Sequence, residues 1–318
     1  MLLAGAAGCS TDARAEPSAP ELGPAEVVYG SDYVGDPFVL PVPPAAGADG
    51  RYVLFWTTDW TDNVPVAVSS DLHTWQRRPD ALPVLPSWAT RSRTMTWSPA
   101  ALQVGDSWVL YFSTQEASSG LQCLGAAVSA TPEGPYADAS STPLLCQREL
   151  GGDIDPSVAR DADGRPFLTW KNDGNATGVP TGLWQQYLST DGRLVVGDPH
   201  RLLGVDRPWQ YGIVEGPSML PRSEGGWWLF YAAGAWQSGT YSTGVAVCDT
   251  VEGPCRTTSP GPLLTSRPGA VSPGGLETFR DLDGTLRAVY STFDETPGSP
   301  AAAIDAYRVL QLATVEAH

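Results

Sequence analysis

Three acidic residues stand just before prolines in strings of similar shape: Asp36 in GDPFVL and Asp155 in DIDPSVA directly, and Glu215 in VEGPSML with Gly216 between. Two further strings, TWSPAAL and VSPGGLE, repeat the pattern with Ser98 and Ser272 before the proline. Carboxylates gathered in one place disfavour each other's ionisation, so at least one should hold its proton above the ordinary carboxylate range. A protonated acid can then donate to a leaving oxygen while an ionised partner activates water or attacks, the division of labour that hydrolyses glycosidic bonds. Glu215 is flanked by Ile213, Val214, Met219 and Leu220. An acid in so apolar a run is costly unless it is paired, turned to solvent or kept for chemistry. That setting, with Asp155 nearby, should help to keep Glu215 protonated at neutral pH.

For these acids to meet, something must bring residues far apart in sequence together. The prolines of the five strings are Pro37, Pro99, Pro156, Pro217 and Pro273, which recur at steps of 62, 57, 61 and 56 residues. Each is followed by a second strand-like segment (RYVLFWTT, SWVLYFST, RPFLTWKN, GWWLFYAA, TLRAVYST) behind a Gly-containing turn. A third segment follows in every unit, and in the first four a turn leads into a short outer segment. Five units of three or four strands predict an all-β chain folded as a five-bladed β-propeller. The innermost strand of each blade would carry its proline string, so all five would converge at one end of the axis. Residues 27–318 are expected to form this single domain, and residues 1–26 a signal remnant and flexible spacer.

The strings GDPFVL, DIDPSVARDADGRPFLTW and VEGPSML resemble the three signature motifs of glycoside hydrolase family 43, in the family's order and spacing, and the resemblance spans all five units. LTWKNDGNA and GVAVCDTVEGPC are also similar to members of that group. The resemblance implies action on α-L-arabinofuranosides or β-D-xylosides, the former favoured, with inversion at the anomeric carbon. It makes Asp36 the general base, Glu215 the general acid and Asp155 the third carboxylate, which tunes and holds Glu215. Inversion asks for roughly 6.5–9.5 Å between the two working carboxyls, so that water fits. Asp153 is a weaker competitor for the place of Asp155. Trp97, Trp56, Trp60 and Trp236 are candidate platforms for a sugar face, and Lys171 is a candidate contact at the pocket floor. Many members carry a His in the fifth string, near a calcium or water site in the channel. Here Gly275 stands in that place, which argues against the His-linked metal site. No cofactor is expected to be required, and a structural calcium could bind through waters but lacks a clear ligand set.

Composition limits the rest. The net charge is −16, with no basic cluster, which excludes a nucleic-acid partner. An oligo- or polysaccharide substrate and a monomer are expected. MLLAGAAGCS resembles a lipoprotein signal ending at Cys9, though it lacks a basic start, and a lipid there would be the sole link to a membrane. Without Cys9 four cysteines remain, enough for two disulfides in an exported protein. Cys248 and Cys255 would close a small hairpin, and Cys123 and Cys146 could then pair across a longer loop. The rival to an enzyme is a non-catalytic cell-surface propeller that binds carbohydrate. Fructan-active propellers fit less well, since Gly216 follows the acid and Ile154 precedes Asp155.

Overall fold

The computed structural model describes residues 19–30, 32–45, 47–293 and 308–316; Cys9 lies outside them. The chain forms a five-bladed β-propeller. Blade one contains Phe38–Val42, Arg51–Phe55, Val66–Ser69 and Gln76–Arg78, paired in that order from the axis outwards. Blade two contains Trp97–Val104, Ser107–Gln115 and Gln122–Ser129. Blade three contains Asp153–Arg160, Pro166–Asn172, Gly182–Leu188 and Val195–Gly204, and blade four Val214–Pro221, Trp227–Ala233, Ser242–Cys248 and Cys255–Thr257. Blade five contains Val271–Arg280, Leu286–Phe293 and Arg308–Glu316. All ladders between these strands are antiparallel.

The core lies between blades. Successive side chains of a strand point to opposite faces, and each face of a blade is covered by a neighbour. Phe167 therefore falls in the core shared with blade four while Leu168 falls in the core shared with blade two. Leu229 faces blade three and Phe230 faces blade five in the same way. This two-sided burial is why the second strands read as unbroken apolar runs: every residue of Trp227–Ala233 is buried.

Two features depart from the sequence expectation. Blade two has no fourth strand; the segment after Ser129 touches it through isolated bridges at Val128–Ala137 and Leu124–Leu145. Pro132, Pro135 and Pro143 lie in that segment, and each removes a donor that a ladder would need. The Cys123–Cys146 disulfide ties the segment down instead, and Cys248–Cys255 closes the outer hairpin of blade four. Blade five gains its outer edge from the other end of the chain. Glu26–Tyr29 and Glu21–Leu22 both pair with Arg308–Glu316, so ordered sheet begins inside the stretch expected to be a spacer.

The proline strings share one backbone device. The residue immediately before each proline has positive φ: Asp36 at 49°, Ser98 at 45°, Asp155 at 56°, Gly216 at 55° and Ser272 at 55°. In blades two to five the pairing register breaks at this point, the mark of a β-bulge, which re-aims side chains. Non-glycine residues rarely adopt positive φ, and such strain gathers at functional sites.

Candidate active site

The five strings do converge. Asp36, Ser98, Asp155, Gly216 and Gly275 line one pocket, with Pro37, Pro99, Pro156 and Pro217 forming much of its wall. The register, however, is not uniform. Asp36 and Asp155 occupy the positive-φ position itself, whereas in blade four that position is Gly216 and Glu215 stands one residue earlier. Glu215 is therefore not a fourth copy of the same marker, as its sequence context suggests. A one-residue step along a strand turns a side chain to the other face, and Glu215 consequently meets different partners.

Asp36 is held from blades one and five. Thr57 donates to its Oδ2 at 2.6 Å, and the Arg308 guanidinium lies 3.7 Å from Oδ1. Thr57 Oγ1 also accepts the Ser98 backbone N–H at 3.0 Å, which links this corner to blade two. Gly275 comes close enough that a Cβ there would stand 3.2 Å from Asp36 Oδ1. Asp155 is tied to blades two and four: Ser98 Oγ donates to Oδ1 at 2.8 Å and Gly216 N–H to Oδ2 at 2.9 Å. Burial, helped by the charges of Glu215 and Asp36 and opposed by Lys171 and the Ser98 hydrogen bond, pushes Asp155 up to about 7. The upward shift expected somewhere in the cluster thus falls on Asp155.

Glu215 is gripped from two sides. Lys171 Nζ lies 2.9 Å from Oε2, and Tyr241 Oη donates to Oε1 at 2.7 Å. Lys171 is only 1 % exposed. Burial would lower its pKa, but the charges of Glu215 and Asp155 outweigh that and the net shift is upward. Asp173 completes the pair's surroundings at 3.9 Å from Nζ. The Tyr241 ring owes its place to Gly274, where a Cβ would fall 2.0 Å from the ring's Cε1.

The other sequence candidates divide. Trp56 is fully buried, with Tyr29 and the Arg77 guanidinium on its ring; it is core and cannot be a sugar platform. Trp236 is partly exposed, 5.9 Å from the Arg308 guanidinium, beside the Asp36 corner. Trp97 is partly exposed, precedes Ser98 and donates its indole N–H to Thr94 O. Trp60, 49 % exposed, lies against Tyr33. Asp153 is fully buried and accepts the Gln147 N–H, so it does not share the pocket with Asp155. Strand alternation alone would put Asp153 and Asp155 on one face, but the bulge between Ile154 and Ser157 breaks it.

Four site residues were not singled out from sequence: Thr57, Tyr241, Glu277 and Arg308. Arg308 is the clearest omission, since a cation that opens the apolar strand RVLQLATV is itself a signal. It is 4 % exposed, and its Nε and Nη2 are buried with no hydrogen-bond partner among the described residues. A metal fits the site poorly. Gly275 offers no side-chain ligand. Among the described residues the only close triad of His, Cys, Asp or Glu ligand atoms is Glu116 with Cys123 and Cys146, whose sulfurs form a disulfide.

With this geometry in hand, known proteins can be compared. The profile of glycosyl hydrolases family 43 matches residues 36–314. No curated protein matches the chain. Among solved structures, a thermostable family-43 glycoside hydrolase superposes with a TM-score of 0.72 at 24 % identity, covering 91 % of each chain. An endo-1,4-beta-xylanase from Bacteroides thetaiotaomicron gives 0.72 at 22 % identity, covering 93 % of this chain and 97 % of that one. The alpha-L-arabinanase of Cellvibrio cellulosa, solved with arabinohexaose, gives 0.66 at 20 % identity over 89 % of this chain and 91 % of that one.

Proposed function

The chain belongs to glycosyl hydrolase family 43, and on that premise we propose that it cleaves α-L-arabinofuranosyl or β-D-xylosyl linkages of plant hemicellulose or arabinan with inversion. The observation that carries this reading is the meeting of Asp36, Asp155 and the Glu215 strand at one channel mouth, each carboxyl held by hydrogen bonds from a different set of blades. Asp36 is the general base. Thr57 fixes Oδ2, while Arg308 at 3.7 Å is too far for a hydrogen bond to Oδ1, which leaves Oδ1 to take a proton from the attacking water. As the water oxygen bonds to the anomeric carbon, the glycosidic C–O bond breaks, and Glu215 supplies the proton that the departing oxygen acquires. Asp155 and Lys171 hold and polarise the acid. Arabinofuranosides are the favoured substrates.

Paired assays on 4-nitrophenyl α-L-arabinofuranoside and β-D-xyloside, with the first product's anomer read by proton NMR, test this directly. Glu215→Gln should lower kcat by about 10²–10⁴-fold on arabinan or xylan oligosaccharides, whose sugar leaving group needs the proton, and by less on the 4-nitrophenyl glycosides. A wild-type protein that hydrolyses neither substrate nor arabinan yet retains soluble arabinan would be a binding propeller instead. The two disulfides fit an exported protein. We further propose that Cys9 carries the lipid anchor, in which case intact mass of the mature exported chain should show a diacylglyceryl addition on an N-terminal Cys9.

A further inference from the structure

Glu277 is a carboxyl that the proposed chemistry does not use, and it sits in the wall of the same pocket. It comes from the inner strand of blade five, just past that strand's second register break. Ser157 Oγ of blade three donates to it, at 3.0 Å from Oε2 and 3.2 Å from Oε1. Ser218 Oγ of blade four donates to Oε1 at 3.0 Å and accepts the Thr278 N–H of blade five at 3.1 Å. No cation pairs with Glu277 among the described residues, although fourteen ion pairs occur elsewhere. Ser157 directly follows Pro156 in the string of Asp155, and Ser218 directly follows Pro217 in the string of Glu215. One side chain thus bridges the two strands that carry these acids, next to the bulges that aim them.

We propose that Glu277 is a positioning residue of this site, which locks the strands of Asp155 and Glu215 to each other by accepting hydrogen bonds from Ser157 and Ser218. The proposal rests on the hydrolytic reading above, but its geometry stands apart from it. A carboxyl has the lone pairs to accept from both hydroxyls at once, and neutral glutamine keeps an acceptor oxygen in the same place. Alanine removes both contacts, leaving the Ser157 hydroxyl without this acceptor and the Ser218 hydroxyl only Thr278 Oγ1 at 3.2 Å, so that the Gly216-to-Asp155 hydrogen bond and the Lys171–Glu215 pair must then hold the strands.

The test uses Glu277→Ala, Glu277→Gln, the Ser157→Ala/Ser218→Ala pair and the triple variant. On the better 4-nitrophenyl glycoside, Glu277→Ala should lower kcat at least tenfold with KM within about twofold, and Glu277→Gln should restore kcat to within about threefold of wild type. If Glu277 acts through the two serines, the serine pair should reproduce the alanine loss and the triple variant should add nothing to it. Losses that multiply, or wild-type kcat in a folded Glu277→Ala, overturn the proposal. A second readout needs no turnover: the Asp155 carboxyl titration, followed by ¹³C NMR, should move in Glu277→Ala and stay in place in Glu277→Gln. Should the wild type prove inert on every substrate, the hydrolytic reading fails, and the titration alone decides the positioning role: an Asp155 pKa equal in wild type and Glu277→Ala overturns it.

Discussion

At the residue scale the pocket is a small electrostatic system whose members differ in how tightly each is satisfied. Glu215 is fully engaged by Lys171 and Tyr241, Asp36 by Thr57 on one oxygen, and Asp155 by Ser98 and Gly216. Asp155 is the one pushed up to about 7, because burial and two neighbouring charges outweigh its hydrogen bonds. The Ser98 hydroxyl donates to the carboxylate, so it favours the ionised form and pulls the pKa down. Ser98→Ala should therefore move the Asp155 titration upward, by roughly one unit, given the strength of a hydrogen bond to a charged acceptor. Carboxyl ¹³C shifts across pH 4–10 read this directly. A downward move would mean that Ser98 does not donate to Asp155. Ser98 itself needs positive φ, which alanine tolerates poorly, so Ser98→Gly serves as the companion variant: it removes the same donor without that strain.

At the element scale, what matters is the bulge at the proline string of blades two to five. Gly274, in the fifth string, leaves room for the Tyr241 ring, since any Cβ would fall 2.0 Å from Cε1. Gly274→Ala should displace Tyr241, remove its hydrogen bond to Glu215 and lower kcat at least tenfold, with an overpacking cost of about 1–3 kcal/mol visible in thermal melts. An unchanged kcat would mean that Tyr241 is not needed on Glu215. Much of this level is legible in sequence: the spacing of the five prolines announces the blades, and the unbroken apolar second strands announce burial on both sides. The offset of Glu215 is legible, because Gly216 separates it from Pro217 whereas Asp36 and Asp155 directly precede their prolines. What the spacing does not disclose is the positive φ before each proline, which sets what each side chain meets. Lys171 shows a second limit. Sequence offers Lys171 only as a contact at the pocket floor, whereas the blade-three ladder pairs it with Ile154 and brings it to an acid of the next blade. Trp56 shows the converse, since aromatic identity cannot distinguish a core indole from a platform.

At the scale of the whole molecule, the ring is closed by the chain's two ends. Glu26–Tyr29 lies on the strand Arg308–Glu316, whose first residue faces Asp36, so the closure and the site share an element. The same molecule carries a net charge of −16 and several acids that fold into settings unfavourable to ionisation. Burial pushes Asp153 and Asp155 up to about 7 and Glu277 up to about 8. In the unfolded chain these groups ionise near the usual value of about 4. Between those values the unfolded state has shed protons that the folded state still binds, so stability from these groups is fully present below about pH 4 and is lost as pH rises through 7 to 8. Asp59 and Glu116 act in the opposite sense. Their hydrogen bonds and their arginine partners outweigh burial and hold them below the usual range, so their contribution is lost as the solution becomes acidic. Growing negative self-repulsion adds to the loss on the alkaline side. The midpoint of thermal unfolding should therefore peak near about pH 5 and fall by several degrees by about pH 9. Asp153→Asn isolates the effect from catalysis, because Asp153 is buried away from the pocket: it should shrink that fall, measured by calorimetry at matched ionic strength. A midpoint that is flat or rises from pH 5 to 9 would show that these buried acids do not govern the stability of the ring.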